Sequence, residues 1–137
     1  MKDILVAYEE SPVSGRVLER AAELARAFGA AVTVTSVAPV AVGVRTGTQY
    51  NPADPPIRHE EELHDARARL TELGVPGVET VTGIGDPPET IVELAALKGS
   101  DLIVIGAHEG GLLSRIFPGS TTDEVVHKAT VDVLIVH

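Results

Sequence analysis

The sequence predicts an α/β protein built on an open, five-stranded parallel sheet with four helices on its two faces, and three observations carry that prediction. Short aliphatic runs alternate with amphipathic segments long enough to serve as crossover helices. Hydrophobic residues make up 44% of the chain but aromatics only 3%, so the core is assembled from Val, Ile, Leu and Ala, the composition of strands buried on both faces. Gly, Pro, Ser and Asp stand between the runs where helices start and stop.

The first run, Asp3 to Tyr8 (DILVAY), predicts a buried strand. Ser11 is placed to cap a helix with Pro12 in its first turn. The helix continues through Val13, Val17, Leu18, Ala21, Leu24, Ala25 and Phe28, all expected to face inward, and stops at Gly29. Ala31 to Val37 predicts a second strand. Residues 38 to about 58 carry Pro39, Gly43, Gly47, Pro52, Pro55 and Pro56 and predict a long loop, of a length usual only where a loop is functional or mobile. Glu60 to Leu73 resumes helical spacing, and Val78 to Thr82 predicts a weak edge strand that turns at Gly83-Ile84-Gly85. Asp86, Pro87 and Pro88 open a third helix running to about Leu97. Asp101 to Ile105 is the most apolar strand and is expected at the centre. A glycine-rich loop from Gly106 to Pro118 then leads to a helix beginning at Gly119-Ser120-Thr121-Thr122, with Val125, Val126 and Ala129 inward. Val131 to Val136 closes the chain as the fifth strand.

Several function classes are disfavoured at once. The 137 residues suit one domain, 1–137. The absence of Cys removes disulfides, thiolate metal sites and a cysteine nucleophile, and agrees with a cytoplasmic location. Nothing reaches the roughly 18 apolar residues of a membrane span, and the start is too short in apolar residues for a signal peptide. A net charge of −9 repels nucleic acid and anionic membranes. It leaves room for a small phosphorylated ligand, which a helix N-terminus can hold locally.

In an open parallel sheet a ligand sits at the strand carboxyl ends, where strand order reverses. With the order 3-2-1-4-5, Tyr8-Glu9-Glu10-Ser11 comes to lie beside Gly106-Ala107-His108-Glu109. The loop after the fourth strand supplies glycines at 106, 110, 111 and 119, then Ser120 and Thr121 at a helix start. Glycines admit backbone N–H groups to an anion and the helix terminus adds positive potential, which makes a phosphate cradle. Gly-Ser-Thr is equally an ordinary helix start. No Gly-Lys-Ser or Gly-Lys-Thr is present, so this is not a Walker loop.

The opening ILVAYEES, the turn GIGDPPETI, the strand SDLIVIG and the closing GS, helix and VDVLIV together resemble the universal stress protein family over nearly the whole chain, apart from residues 38 to 58. The resemblance implies a Rossmann-type fold like that of the adenine nucleotide alpha hydrolases, with the 3-2-1-4-5 sheet. It also implies a homodimer through the C-terminal strand Val131–Val136, regulatory protein partners, and, in one subgroup, adenine nucleotide binding. The ligands so implied are ATP or AMP with Mg²⁺ or Mn²⁺, none of them required for folding. Carried over by position, Ala7, Tyr8 and Glu9 lie at the first strand end, Glu9 by the ribose or metal, and Val37 and Ala38 lie against the base. Gly106, Gly119, Ser120 and Thr121 surround the phosphates, and His108, Glu109 and Gly110 of the same loop count among the nucleotide-binding residues.

Two departures keep a second reading open. Glu109 takes the place of the subgroup's second glycine, and Glu9-Glu10-Ser11 stands where members often carry Asp-Gly-Ser. Two unit charges roughly 5 Å apart repel by about 3 kcal/mol at an effective dielectric near ~20, about two orders of magnitude in affinity for a triphosphate. Bridging by a hard cation would relieve this. The alternative is an interaction module of the same fold, without nucleotide, its pocket blocked by Glu10 and Glu109.

The remaining polar residues carry less. His108 with Ser120 and a carboxylate invites a hydrolase reading, but no Gly-x-Ser-x-Gly elbow accompanies them, and no enzyme activity is assigned. Arg115 reads as a surface cation. His59 and His64, five apart beside Glu60, Glu61 and Glu62, read as an exposed acidic helix start rather than a metal site.

Overall fold

Strands that are apolar on both sides must be covered on both faces, and this requirement organises the molecule. The computed structural model describes residues 1–39, 56–107 and 121–137. The aliphatic runs form β1 (Asp3–Ala7), β2 (Ala31–Ala38), β3 (Glu79–Ile84), β4 (Leu102–Gly106) and β5 (Asp132–Val136). They join in one parallel sheet of order β3-β2-β1-β4-β5. The helices among the described residues are α1 (Ser14–Phe28), α2 (Pro56–Glu72), α3 (Pro87–Lys98) and α4 (Thr121–Lys128). The expected fold class and strand order are therefore found.

Alternation along each strand divides the core in two. Ile4, Val6, Val32, Val34, Leu102 and Val104 pack beneath α1 and α2, against Val17, Leu18, Ala21, Leu63, Ala66 and Leu70. Leu5, Ala7, Val37, Ile103 and Ile105 pack on the opposite face with Ile91, Ala95 and Val125 of α3 and α4. Asp101 joins the chain start to this frame: its carboxylate accepts the backbone N–H of Lys2 at 2.6 Å and of Asp3 at 3.0 Å.

Several boundaries differ from expectation for identifiable reasons. Ser11 does not cap α1. Its carbonyl accepts the Ser14 N–H at 3.1 Å and its Oγ the Val13 N–H at 3.3 Å, forming a turn, and the helix starts at Ser14 with Val13 as an N-cap that makes no side-chain cap bond. Tyr8 lies just past β1, and β3 continues through Gly83 to Ile84 instead of turning there. Ladder pairing carries it on, because Gly83 and Ile84 align with Val37 and Ala38 of β2. Phe28 is 57% exposed, where the chain turns through left-handed Gly29 and Ala30 takes the buried place. Val126 is 44% exposed because it lies one helical step from Val125, which takes the inward position on a helix of only two turns.

The largest correction concerns His59. Because α2 begins at Pro56, His59 lies inside the helix on the stripe of Leu63, Ala66 and Leu70. His59 and Glu62 are buried, not exposed. Of the segment expected as a loop, Ala38 belongs to β2 and residues 56–58 to α2, and residues 40–55 lie outside those described.

Candidate functional site

At the carboxyl ends of β1 and β4, where the strand order reverses and α1 and α4 cover opposite faces of the sheet, a cleft opens. It encloses about 640 Å³ of space continuous with solvent. Ala7, Tyr8 and Glu9 form one wall and Gly106 with Ala107 the facing one. Val37, Pro87, Ile91 and Ile105 supply an apolar side, while Ser11, Ser14, Thr35, Thr121 and Thr122 supply hydroxyls.

Local chemistry positions each part. Asp86 caps α3, its carboxylate accepting the Glu89 N–H at 3.4 Å, and this brings Pro87 and Ile91 to the cleft. Thr122 Oγ1 donates to the Gly106 carbonyl at 2.9 Å and the Ala107 N–H donates to the Val136 carbonyl at 2.7 Å, tying α4 and β5 to the end of β4. Thr35 Oγ1 donates to the Val81 carbonyl at 2.8 Å, locking β2 to β3 below the cleft. Burial raises the Tyr8 phenol above its ordinary pKa of 10.0, and the negative charges of Glu10, Glu62 and Asp65 add to this against a hydrogen bond with Ser14.

Of the residues the sequence singled out, Ala7, Tyr8, Glu9, Val37, Gly106 and Thr121 come together around this cleft. Ala38 is fully buried beside it, its carbonyl accepting the Gly85 N–H at 3.0 Å. His108, Glu109, Gly110, Gly119 and Ser120 lie outside the described residues. Glu10 is exposed and is not part of the described cleft lining. Gly106 has a structural reason to be glycine that the cradle argument did not contain: a Cβ there would come 2.9 Å from Val13 Cγ2 and 3.3 Å from Val17 Cγ2.

Pro87, Ile91, Thr35 and Ser14 were missed as cleft residues. The signal for Pro87 and Ile91 was present in GIGDPPETI, since a capped helix following β3 must begin at the same edge of the sheet as the strand ends. Thr35 gave no such signal, because within a β-branched strand it reads as an ordinary core position. Among the described residues no group of three or more His, Cys, Asp or Glu could hold a metal ion.

The backbone of β2 adds polar groups at the cleft. Thr35 turns its carbonyl toward β1, where it accepts the Tyr8 N–H at 2.9 Å, and Ala38 turns its carbonyl toward β3. By the same alternation Val37 directs both its N–H and its C=O to the β1 side, past the last rung of the β1–β2 ladder at Ala7 and Thr35. One donor and one acceptor thus stand side by side at the cleft wall.

Sheet order, covering helices and a switch-point cleft define a Rossmann-like α/β protein of the kind that takes ligands at strand ends. The chain belongs to the universal stress protein family, whose model matches residues 1–137. It is 36% identical to universal stress protein A homolog 1 of Coxiella burnetii, over 98% of this chain and 95% of that one. Among solved structures it resembles the universal stress protein of Archaeoglobus fulgidus in complex with dAMP, with a TM-score of 0.76, 27% identity, and 100% and 98% of the two chains covered. A universal stress protein in complex with cAMP aligns with a TM-score of 0.74 at 28% identity, covering 99% of this chain and 96% of that one.

Proposed function

We propose that this chain is a dimeric regulatory module that binds an adenine nucleotide in the cleft between the ends of β1 and β4. The observation that carries the reading is the Val37 donor–acceptor pair beside an apolar wall of Pro87, Ile91 and Ile105, which matches a flat base with alternating polar groups on its edge. The hydroxyl of Thr121 at the start of α4 and the α1 terminus, which has no acidic residue in its first turn, suit phosphate oxygens. Two structural neighbours are complexes with adenine mononucleotides, dAMP and cAMP, in support of the same ligand class. Glu9 at the cleft wall, with a net charge of −9, favours a mononucleotide over a triphosphate; Glu9 would meet any Mg²⁺ or Mn²⁺ that a polyphosphate brings.

Titration calorimetry with AMP, cAMP and MgATP tests this. Micromolar binding of at least one, with AMP or cAMP tighter than ATP, is expected. No heat with any of the three would leave the interaction-module reading.

The dimer belongs to the same proposal. β5 pairs with β4 on one side only among the described residues, and Val133, Leu134 and Ile135 are only half-buried in the single chain. Pairing with a second copy along that edge would cover them. Light scattering should report a dimer, and Ile135→Glu should give a monomer. A cytoplasmic location accords with the absence of Cys, and no helix among the described residues is long and apolar enough to cross a membrane.

A further inference from the structure

Three polar side chains meet beneath α2 on the face of β2 opposite the cleft. Ser36, His59 and Glu62 are 2%, 3% and 5% exposed. Ser36 Oγ lies 3.2 Å from Glu62 Oε2 and is also hydrogen-bonded to His59 Nδ1. His59 Nδ1 and Glu62 Oε2 are 3.9 Å apart, and Arg58 Nη2 stands 3.2 Å from Glu62 Oε1. A carboxylate can only accept and a hydroxyl has one proton to give. Ser36 therefore donates to Glu62, and the Nδ1–H of His59 donates to Ser36. Such a linked network in a buried setting is rigid, because breaking any member leaves a desolvated polar group behind.

Ser36 is bonded to the residue that faces the base site. β2 runs three residues beyond its last β1 partner, from Thr35 to Ala38, and on that stretch the ladder holds it from the β3 side alone. The Val37 side chain is fixed against Gly83, where an added Cβ would lie 3.2 Å from Val37 Cγ2. Resting on the nucleotide reading of the cleft, we infer that Ser36, His59 and Glu62 form a buried clamp that positions the Val37 main chain to discriminate adenine from guanine. The Val37 C=O accepts from the adenine amino group and its N–H donates to the neighbouring ring nitrogen. Guanine presents an acceptor and a donor in the reverse order, so the pair selects only while its position is held. These are positioning residues, since none of them lines the cleft.

The test measures AMP, GMP and tripolyphosphate binding to the wild-type protein and to Ser36→Ala, His59→Leu and His59→Asn. The Asn amide nitrogen can occupy the place of Nδ1 and restore the donor. Loss of one well-placed hydrogen bond corresponds to about tenfold. Ser36→Ala and His59→Leu should weaken AMP by about that factor and reduce the AMP-to-GMP preference by as much, with tripolyphosphate unchanged and His59→Asn close to wild type. Folded variants that bind AMP like wild type, or that lose tripolyphosphate as much as AMP, would overturn the clamp. Should His59→Leu not fold, Ser36→Ala and His59→Asn still decide the matter. Wild-type protein that binds no AMP would instead refute the nucleotide reading, a result distinct from binding that the variants leave unchanged.

Discussion

A Cβ on Gly106 would approach Val13 Cγ2 to 2.9 Å, so the seating of α1 against the end of β4 depends on the absence of a side chain there. Gly106→Ala should destabilise the protein by about 1–3 kcal/mol through overpacking. Adding Val13→Ala should recover more than half of that, because it removes the atom in the way. Urea unfolding of the two single variants and the double variant measures the coupling directly.

Asp101 holds the first strand by its backbone. The N–H groups of Lys2 and Asp3, in that order of importance, pull its pKa below the ordinary 3.8. A lowered folded-state value means that the stabilisation is complete above about pH 3.8 and is lost as the pH falls through the folded-state pKa. Asp101→Asn removes this ionisation. As the pH falls from neutrality through the folded-state pKa, wild type should lose more unfolding free energy than Asp101→Asn; equal losses would contradict the assignment.

The α3 terminus depends on a single side-chain cap. Asp86→Ala should cost about 1 kcal/mol, while Asp86→Asn, which still accepts the Glu89 N–H, should cost less than half as much. Thermal unfolding compared across the two variants checks the ordering.

Burial separates two leucines of the helices. Leu70 is fully buried and Leu97 is 81% exposed. Leu70→Ala should cost about 2–5 kcal/mol from lost transfer energy and a cavity. Leu97→Ala should stay within about 0.5 kcal/mol of wild type. Both are read from urea midpoints at constant slope.

The strands were legible because each is a run of β-branched and aliphatic residues bounded by breakers, and the α3 start because Asp-Pro-Pro has few other uses. Ser11 misled because a hydroxyl before proline suits a cap and a turn alike, and the backbone chose the turn. The Ser36–His59–Glu62 network was hidden by composition. His59 and Glu62 stand in a charged stretch, RHEEELHD, which reads as solvated, although their spacing to Leu63, Ala66 and Leu70 marks the inward stripe once the helix is known to begin at Pro56.

By itself the sequence determined the class of fold, the order of strands and helices along the chain and the two-sided aliphatic core. Each of these follows from local propensity and from a hydrophobic period counted over neighbouring residues. Only the tertiary structure decided that Pro87 and Ile91 face the same cleft as Tyr8, that Gly106 must admit Val13, and that Ser36 meets His59 across 23 residues of chain. Those relationships are set by which strand ends lie side by side and how closely the helices settle on the sheet, and no local pattern encodes a distance between segments far apart in sequence.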